Sequence, residues 1–209
     1  MGSWINSAVD LVALHPGWAL AIAFAAAVIE AVAVLGIIVP GPPIVVAVAA
    51  AAAAAGQSLL PYLVLVILGG ILGDLVSYWL GYRFHDRIGR IWPFSRRPSL
   101  LADASRFFAR WGFYSVVLCR FLPVLRSTVP LVAGMAGMCR RRFLLANLCS
   151  ALIWAPVHVF PGQIAGLTLA HLADGDWRGA TILGSALLAV AAVIWLLHRK
   201  FIGQARPAA

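Results

Sequence analysis

The stretch Gly112 to Arg142, GFYSVVLCRFLPVLRSTVPLVAGMAGMCRRR, limits what this chain can become more than any other. It is mostly apolar, yet arginines and prolines cut it into pieces. Eight uncharged residues precede Arg120, five separate it from Arg126, and the nine from Leu131 to Cys139 end on three consecutive arginines. A membrane-spanning helix needs about 20 predominantly apolar residues, and none of these pieces approaches that. The whole is nevertheless too apolar and too long for an ordinary loop. Non-helical backbone at membrane depth survives only when buried in protein or lining a wet cavity, and an ionisable residue there points to a functional site. The stretch therefore reads as a broken, re-entrant hairpin that carries two arginines into a bilayer.

Composition sets the class. Hydrophobic residues make up 63% of 209 and charged residues only 11%, against roughly 45–50% apolar in soluble domains. A polytopic all-α membrane protein is expected rather than a water-soluble helical one. The three cysteines, Cys119, Cys139 and Cys149, have no metal-ligand spacing and read as small apolar residues. Residues 1–30 have no basic start and no small-residue cleavage site, so no signal peptide is expected. The net charge of +9 is concentrated: residues 83–111 hold seven Arg and two Asp, residues 140–142 are all Arg, and the tail carries Arg199, Lys200 and Arg206. The positive-inside bias puts these segments in the cytoplasm, the C-terminus included. A nucleic-acid partner is not expected, since no soluble domain carries the basic charge.

In chain order, residues 1–16 form a weakly amphipathic interfacial segment that stops at His15-Pro16-Gly17. Trp18 to Val39 is apolar around Glu30, Pro40-Gly41-Pro42-Pro43 must break any helix, and Ile44 to Ala55 is a second short leg; residues 17–56 thus read as another hairpin. Residues 59–82 can span, with Asp74 inside and glycines spaced for close helix contact. Residues 83–111 contain an amphipathic helix suited to the membrane surface, with Leu100, Leu101, Ala104, Phe107, Phe108 and Trp111 on one face. Residues 112–139 are the broken hairpin, 143–172 span with a tilt or kink, 179–197 form a clean C-terminal span, and 198–209 are a tail.

Parity supports this order. With 83–111 and 140–142 on one side, 112–139 must enter and leave from that side. If 17–56 does likewise, the two hairpin-plus-span halves have opposite orientation, an inverted repeat of the transporter kind. Trp18 to Val39 is also long enough to span alone, and the side of the N-terminus stays open.

Four charges lie inside apolar runs: Glu30, Asp74, Arg120 and Arg126. Each costs about 2.5–3.5 kcal/mol at the bilayer centre on insertion scales, so four unpaired ones would cost about 10–14 kcal/mol. Pairing in one central cavity is the economical arrangement. Polar glue between the halves is the plain alternative, but Ser, Thr or Asn would serve that role at less cost than arginine. Two guanidinium forks suit bidentate capture of a phosphate, and Glu30 is a candidate to exchange a proton. No His-Glu-x-x-His, Gly-x-Ser-x-Gly or Gly-Lys-Ser/Thr motif is present, and the five histidines are scattered. The chain is not expected to be an enzyme or to need a cofactor beyond a coupling proton.

Glu30 followed by Pro40-Gly41, then Gly73-Asp74-x3-Tyr78-x2-Gly81, then Arg120-Phe121-x-Pro123-x2-Arg126-x3-Pro130-x2-Ala133-Gly134, then Phe143-x3-Asn147-x6-Trp154, resembles the DedA family. That family carries the VTT, or SNARE-associated, domain. The resemblance covers roughly residues 25–170 and is most specific in the arginine segment. It implies a bacterial inner-membrane protein with two opposed re-entrant hairpins and a role in recycling undecaprenyl phosphate. By that likeness Glu30, Arg120 and Arg126 match positions considered essential, and with Asp74 they form the expected substrate site. Pro40, Gly41, Gly73, Pro123, Pro130, Gly134, Asn147 and Trp154 are expected to gate or to shape it. The family pattern often places an acid directly after the Pro-Gly, where this chain has Pro42. The resemblance therefore supports handling of a lipid phosphate more than it supports proton coupling. The expectation is a polyprenyl-phosphate flippase with a membrane lipid as partner. A non-selective phospholipid scramblase, a proton-coupled small-solute carrier and a non-transporting envelope scaffold are the alternatives, and a homo-oligomer is left open.

Overall fold

A computed structural model of the chain describes residues 10, 12–33, 35–38, 41–122, 125–186 and 188. Among them every regular element is helical. Seven α-helices follow in order: α1 (Pro16–Ala31), α2 (Gly41–Ala54), α3 (Leu60–Ile88), α4 (Pro98–Trp111), α5 (Phe113–Leu118), α6 (Thr128–Met135) and α7 (Arg140–Ala173). Short 3₁₀ turns lie at Leu35–Ile37 and Cys119–Phe121. Of the expected interfacial segment only residues 10 and 12–16 are described, and of the C-terminal span only residues up to 186 and residue 188; Pro40, Pro123 and the tail 198–209 lie outside the described residues.

Proline writes several of the helix starts. Pro16, Pro61 and Pro98 sit in the first turns of α1, α3 and α4, where the missing N–H has no helical partner to lose. Pro42 and Pro43 occupy the first turn of α2, so the Pro-rich cluster begins a helix as well as ending the preceding run. That preceding run departs from expectation. Its helix stops at Ala31, well before Val39, and a 3₁₀ turn follows. Its sixteen residues cover about 24 Å, and α2, α5 and α6 are shorter still. Among the described residues only α3, apolar over the 26 residues Leu60–His85, and the 34-residue α7 have the length and composition to cross a membrane. In α7, Pro156 and Pro161 lie inside a continuous helix and free the carbonyls four residues earlier, at Leu152 and Val157.

The short helices are held between the two long ones. α1 packs on α3 and α2 on α7, while α5 packs on α7 and α6 on α3. The turns from α2 to α3 and from α6 to α7 have the same geometry. Gly56 (φ 69°) and Gly137 (φ 67°) adopt the left-handed conformation, which glycine takes at least cost. Each closes its helix with paired bonds: Gln57 N–H to Ala52 O with Gly56 N–H to Ala53 O, and Met138 N–H to Ala133 O with Gly137 N–H to Gly134 O.

Solvation is inverted relative to a water-soluble fold. Leu60, Val64, Leu68, Leu72, Val76 and Trp79 form an exposed stripe along α3, and Leu145, Leu148, Leu152, Val157 and Phe160 do so along α7. Glu30, Asp74, Arg120 and Arg126 are buried. Soluble proteins rarely expose apolar stripes of this length, whereas lipid accepts them. The amphipathic helix α4 is the second departure. Its face of Leu101, Ala104, Phe107 and Phe108 packs on the protein's own core with Val116, Val129 and Val132, so much of that face is covered by α5 and α6.

Close approach is carried by glycine at the crossing of α3 and α6. A Cβ on Gly134 would fall on the Tyr78 carbonyl oxygen, and one on Gly81 would fall on that of Leu131. Gly134→Val is therefore expected to destabilise the protein by about 1–3 kcal/mol or more, through overpacking against rigid backbone. Gly17→Ala, with nothing near the added carbon, should leave the unfolding midpoint in detergent unchanged.

Candidate functional site

The four intramembrane charges come together as two ion pairs. Arg120, in the 3₁₀ turn after α5, pairs through Nη2 with Asp74 Oδ2 on α3. Arg126, in the turn that precedes α6, pairs through Nη1 with Glu30 Oε1 at 2.8 Å. The Arg120–Asp74 side chains are 1% and 3% exposed and the Arg126–Glu30 side chains 7% and 5%, so neither pair is a solvated surface bridge.

The two pairs are held differently. Arg120 Nη2 also donates to Asn147 Oδ1 at 2.9 Å, and Asn147 Nδ2 donates to the Ile71 carbonyl at 3.1 Å. Arg120 is thus fastened to both long helices at once. Gly70 leaves the room it needs, since a Cβ there would lie 2.6 Å from Arg120 Nη1. Arg126 has Glu30 as its single carboxylate, and its guanidinium carbon stands 4.1 Å from the centre of the Trp154 ring. The same ring lies 5.9 Å from the Arg120 guanidinium carbon, within cation–π range of both. His158 stacks on Trp154 with ring centres 4.2 Å apart. Glu30 is the penultimate residue of α1 and lies against the start of α2, where Gly41 leaves space for its carboxylate.

The arginines carry more donors than these partners use. Among the described residues, Nε and Nη1 of Arg120 and Nε and Nη2 of Arg126 are buried without a hydrogen-bond partner, as are Glu30 Oε2 and Thr128 Oγ1. Buried polar groups are normally satisfied, because an orphan costs its full desolvation. Surplus donors on two buried forks, beside a ring within cation–π range of both, can take an oxyanion.

Of the remaining residues singled out from sequence, Gly73 lets α1 approach α3 at Val28 and Ala31. Pro130 and Gly134 are buried in α6, and Asn147 and Trp154 belong to the site itself. Sequence reasoning missed the serines that satisfy the broken backbone. Ser77 Oγ accepts from Ala33 N–H at 2.9 Å and lies 3.0 Å from the Ala31 carbonyl at the end of α1. Ser150 Oγ donates to the Val117 carbonyl near the end of α5 at 3.0 Å. Each stands three residues after a group that holds Arg120, Asp74 or Asn147, and that spacing was the signal available. Thr128 was missed as well, since nothing in its type marks it.

Lipid-facing apolar stripes, two long apolar helices and a buried core of paired charges define a helical membrane protein. The VTT domain family matches residues 16–164, and the chain belongs to that family. It is 30% identical to the protein DedA of Escherichia coli over 161 residues, 75% of this chain and 73% of that protein. It is 28% identical to the inner membrane protein YabI of the same organism over 174 residues, and 33% identical to an uncharacterised membrane protein of Mycobacterium bovis over 138 residues. The YabI match covers 81% of this chain but 66% of YabI, so the chain spans just under two thirds of that relative's length. No solved structure matches the chain.

Removing one member of a buried pair strands the other. Asp74→Ala is expected to cost about 3–5 kcal/mol, while the double replacement Asp74→Ala with Arg120→Met should recover most of that loss. Unfolding of the purified protein in mixed micelles measures both.

Proposed function

We propose that this protein is a multi-pass bacterial inner-membrane transporter that moves a polyprenyl phosphate, most specifically undecaprenyl phosphate, between leaflets. The observation that carries this reading is the surplus of four unpartnered guanidinium nitrogens on two buried arginines. A phosphate monoester supplies several acceptor oxygens in a compact group, which suits two adjacent forks. The polyprenyl tail stays in lipid, so only the head group has to enter the protein. The likeness to the inner membrane protein YabI supports the location, and the basic residues of 83–111 and 140–142 support a cytoplasmic side for that face.

In this proposal residues 17–56 and 112–139 are re-entrant hairpins, 59–82 and 143–172 are the spans of an inverted repeat, and 179–197 is a further span. Three correspondences support the repeat. Each hairpin sends its first leg to its own following span and its second leg to the other span. Each joins its span through the same glycine-closed turn. Each has a hairpin carbonyl met by a span serine, Ser77 or Ser150, three residues beyond a residue that bonds Arg120. Two such halves can exchange outward and inward openings by rocking about the charged centre.

The pairs also set the charge balance. Two acids and two arginines sum to zero, so an entering phosphate leaves excess negative charge unless an acid takes up a proton. Glu30, with one carboxylate oxygen unpartnered, is the candidate proton site, with Asp74 as fixed counter-charge.

Translocation of a fluorescent polyprenyl phosphate in proteoliposomes tests the reading, beside a labelled phospholipid. The wild type should move the first and not the second. Arg120→Ala and Arg126→Ala should each lose at least about tenfold in rate, about 1.4 kcal/mol in barrier, with the protein still present in the membrane. Equal movement of both lipids would identify a scramblase. Lost protein abundance with no transport to lose would identify a scaffold.

A further inference from the structure

The two arginines are not equivalent, and we infer that the head-group anion enters by taking the place of the Glu30 carboxylate on Arg126, while Arg120 keeps Asp74 throughout. The inference rests on the phosphate-handling reading above and assigns the exchange to one of its two ion pairs.

Three observations separate the pairs. The first is the number of bonds to be broken. Arg120 holds both Asp74 and Asn147 through Nη2, and Asn147 is itself tied to the Ile71 carbonyl. Arg126 and Glu30 share one contact at 2.8 Å, and beyond it Arg126 Nε and Nη2 and Glu30 Oε2 have no hydrogen-bond partner. An incoming oxyanion can engage free donors on either arginine, Nε and Nη1 of Arg120 included, but at Arg126 only the one Glu30 contact then has to part, whereas displacing Asp74 would strip a cross-linked network.

The second is where the partners stand in the chain. Asp74 and Asn147 lie within the two long helices. Both arginines stand in turns, and the difference lies in their acids: Glu30 is one residue before the end of α1, whereas Asp74 is mid-helix. Residues at element ends absorb backbone rotation that helix interiors do not. The third is the position of the Glu30 carboxylate. It sits against Gly41, the first residue of the fourteen-residue α2, where a side chain would collide with Oε2. The Arg126 guanidinium and the positive end of the helix dipole favour an anion there through charge, since Pro42 and Pro43 have no N–H to donate. The carboxylate thus occupies the place an anionic head group would take. Trp154, stacked 4.1 Å from the Arg126 guanidinium carbon, holds that fork's plane while its in-plane donors change partner.

Glu30 is on this account a built-in competitor of the substrate, and taking away its charge should tighten binding of a phosphate monoester. Binding of farnesyl phosphate to the purified full chain, with farnesol as the tail-only control, reads this directly. Glu30→Gln should bind farnesyl phosphate about tenfold more tightly than wild type, about 1.4 kcal/mol. Asp74→Asn should bind it no more tightly than wild type, and farnesol binding should be the same in all three. Equal tightening in both variants would reveal a general charge effect and overturn the exchange. Unchanged or weaker binding by Glu30→Gln, with the wild type still binding, would overturn the exchange and leave the lipid reading standing. No phosphate-dependent binding by either protein would overturn both. A measurement on the wild type guards against a variant that does not fold. Modification of Glu30 by a hydrophobic carbodiimide, followed by mass spectrometry, should rise when farnesyl phosphate is added while Asp74 stays unmodified. No rise at Glu30 overturns the exchange.

Discussion

Two guanidinium groups out of reach of water set the terms for the rest of this molecule. An arginine cannot shed its charge as a lysine or carboxylate can, so Arg120 and Arg126 must be neutralised where they stand. Asp74 and Glu30 do this, and they bring α3 and the end of α1 to the broken segment. Such pairs are weak sources of net stability, because desolvation offsets most of the attraction. Their effect is on geometry: any arrangement that separates the partners leaves a buried charge alone. Both arginines meet their acids from interrupted backbone, Arg120 in a 3₁₀ turn and Arg126 in the turn before α6.

Breaking a helix away from water raises a second demand, for partners to the freed backbone groups. The long helices supply them through Ser77 and Ser150. The absence of a hydrophobic driving force between helices in lipid raises a third, for close van der Waals packing. Glycine meets it where Gly81 and Gly134 bring α3 and α6 to backbone contact. A frame built in this way is stiff along α3 and α7 and segmented between them. The tightly tied Arg120 belongs to the frame, and the Arg126–Glu30 contact joins the segments. The transport proposed for this protein would use both properties, a fixed centre and parts that can part company around it.

Much of this was legible in the residues. Arginines and prolines interrupting an apolar run imply broken backbone in a membrane, and four charges in apolar surroundings imply pairing. The spans around Asp74 and around Asn147 follow from run length. Other features were not legible. Continuous apolarity from Trp18 to Val39 hid the end of α1 at Ala31, because the break depends on Ser77 from another helix taking up the Ala31 and Ala33 backbone groups. The apolar face of α4 read as a membrane-surface face, and only packing showed α5 and α6 covering much of it.

The amino-acid sequence by itself determined that this is a membrane protein with two arginines and two acids at its centre, because hydropathy and the cost of a bare charge are properties of residue type. Tertiary structure alone decided which acid meets which arginine. Asp74 lies 46 positions from Arg120, and Glu30 is farther still from Arg126; no spacing rule reaches across separate helices. The unequal surroundings of the two arginines belong to the same level. A guanidinium is identical in both and each keeps two unpartnered nitrogens, but Asn147 and the Ile71 carbonyl tie one of them to both long helices, while the other meets a single carboxylate and the face of Trp154.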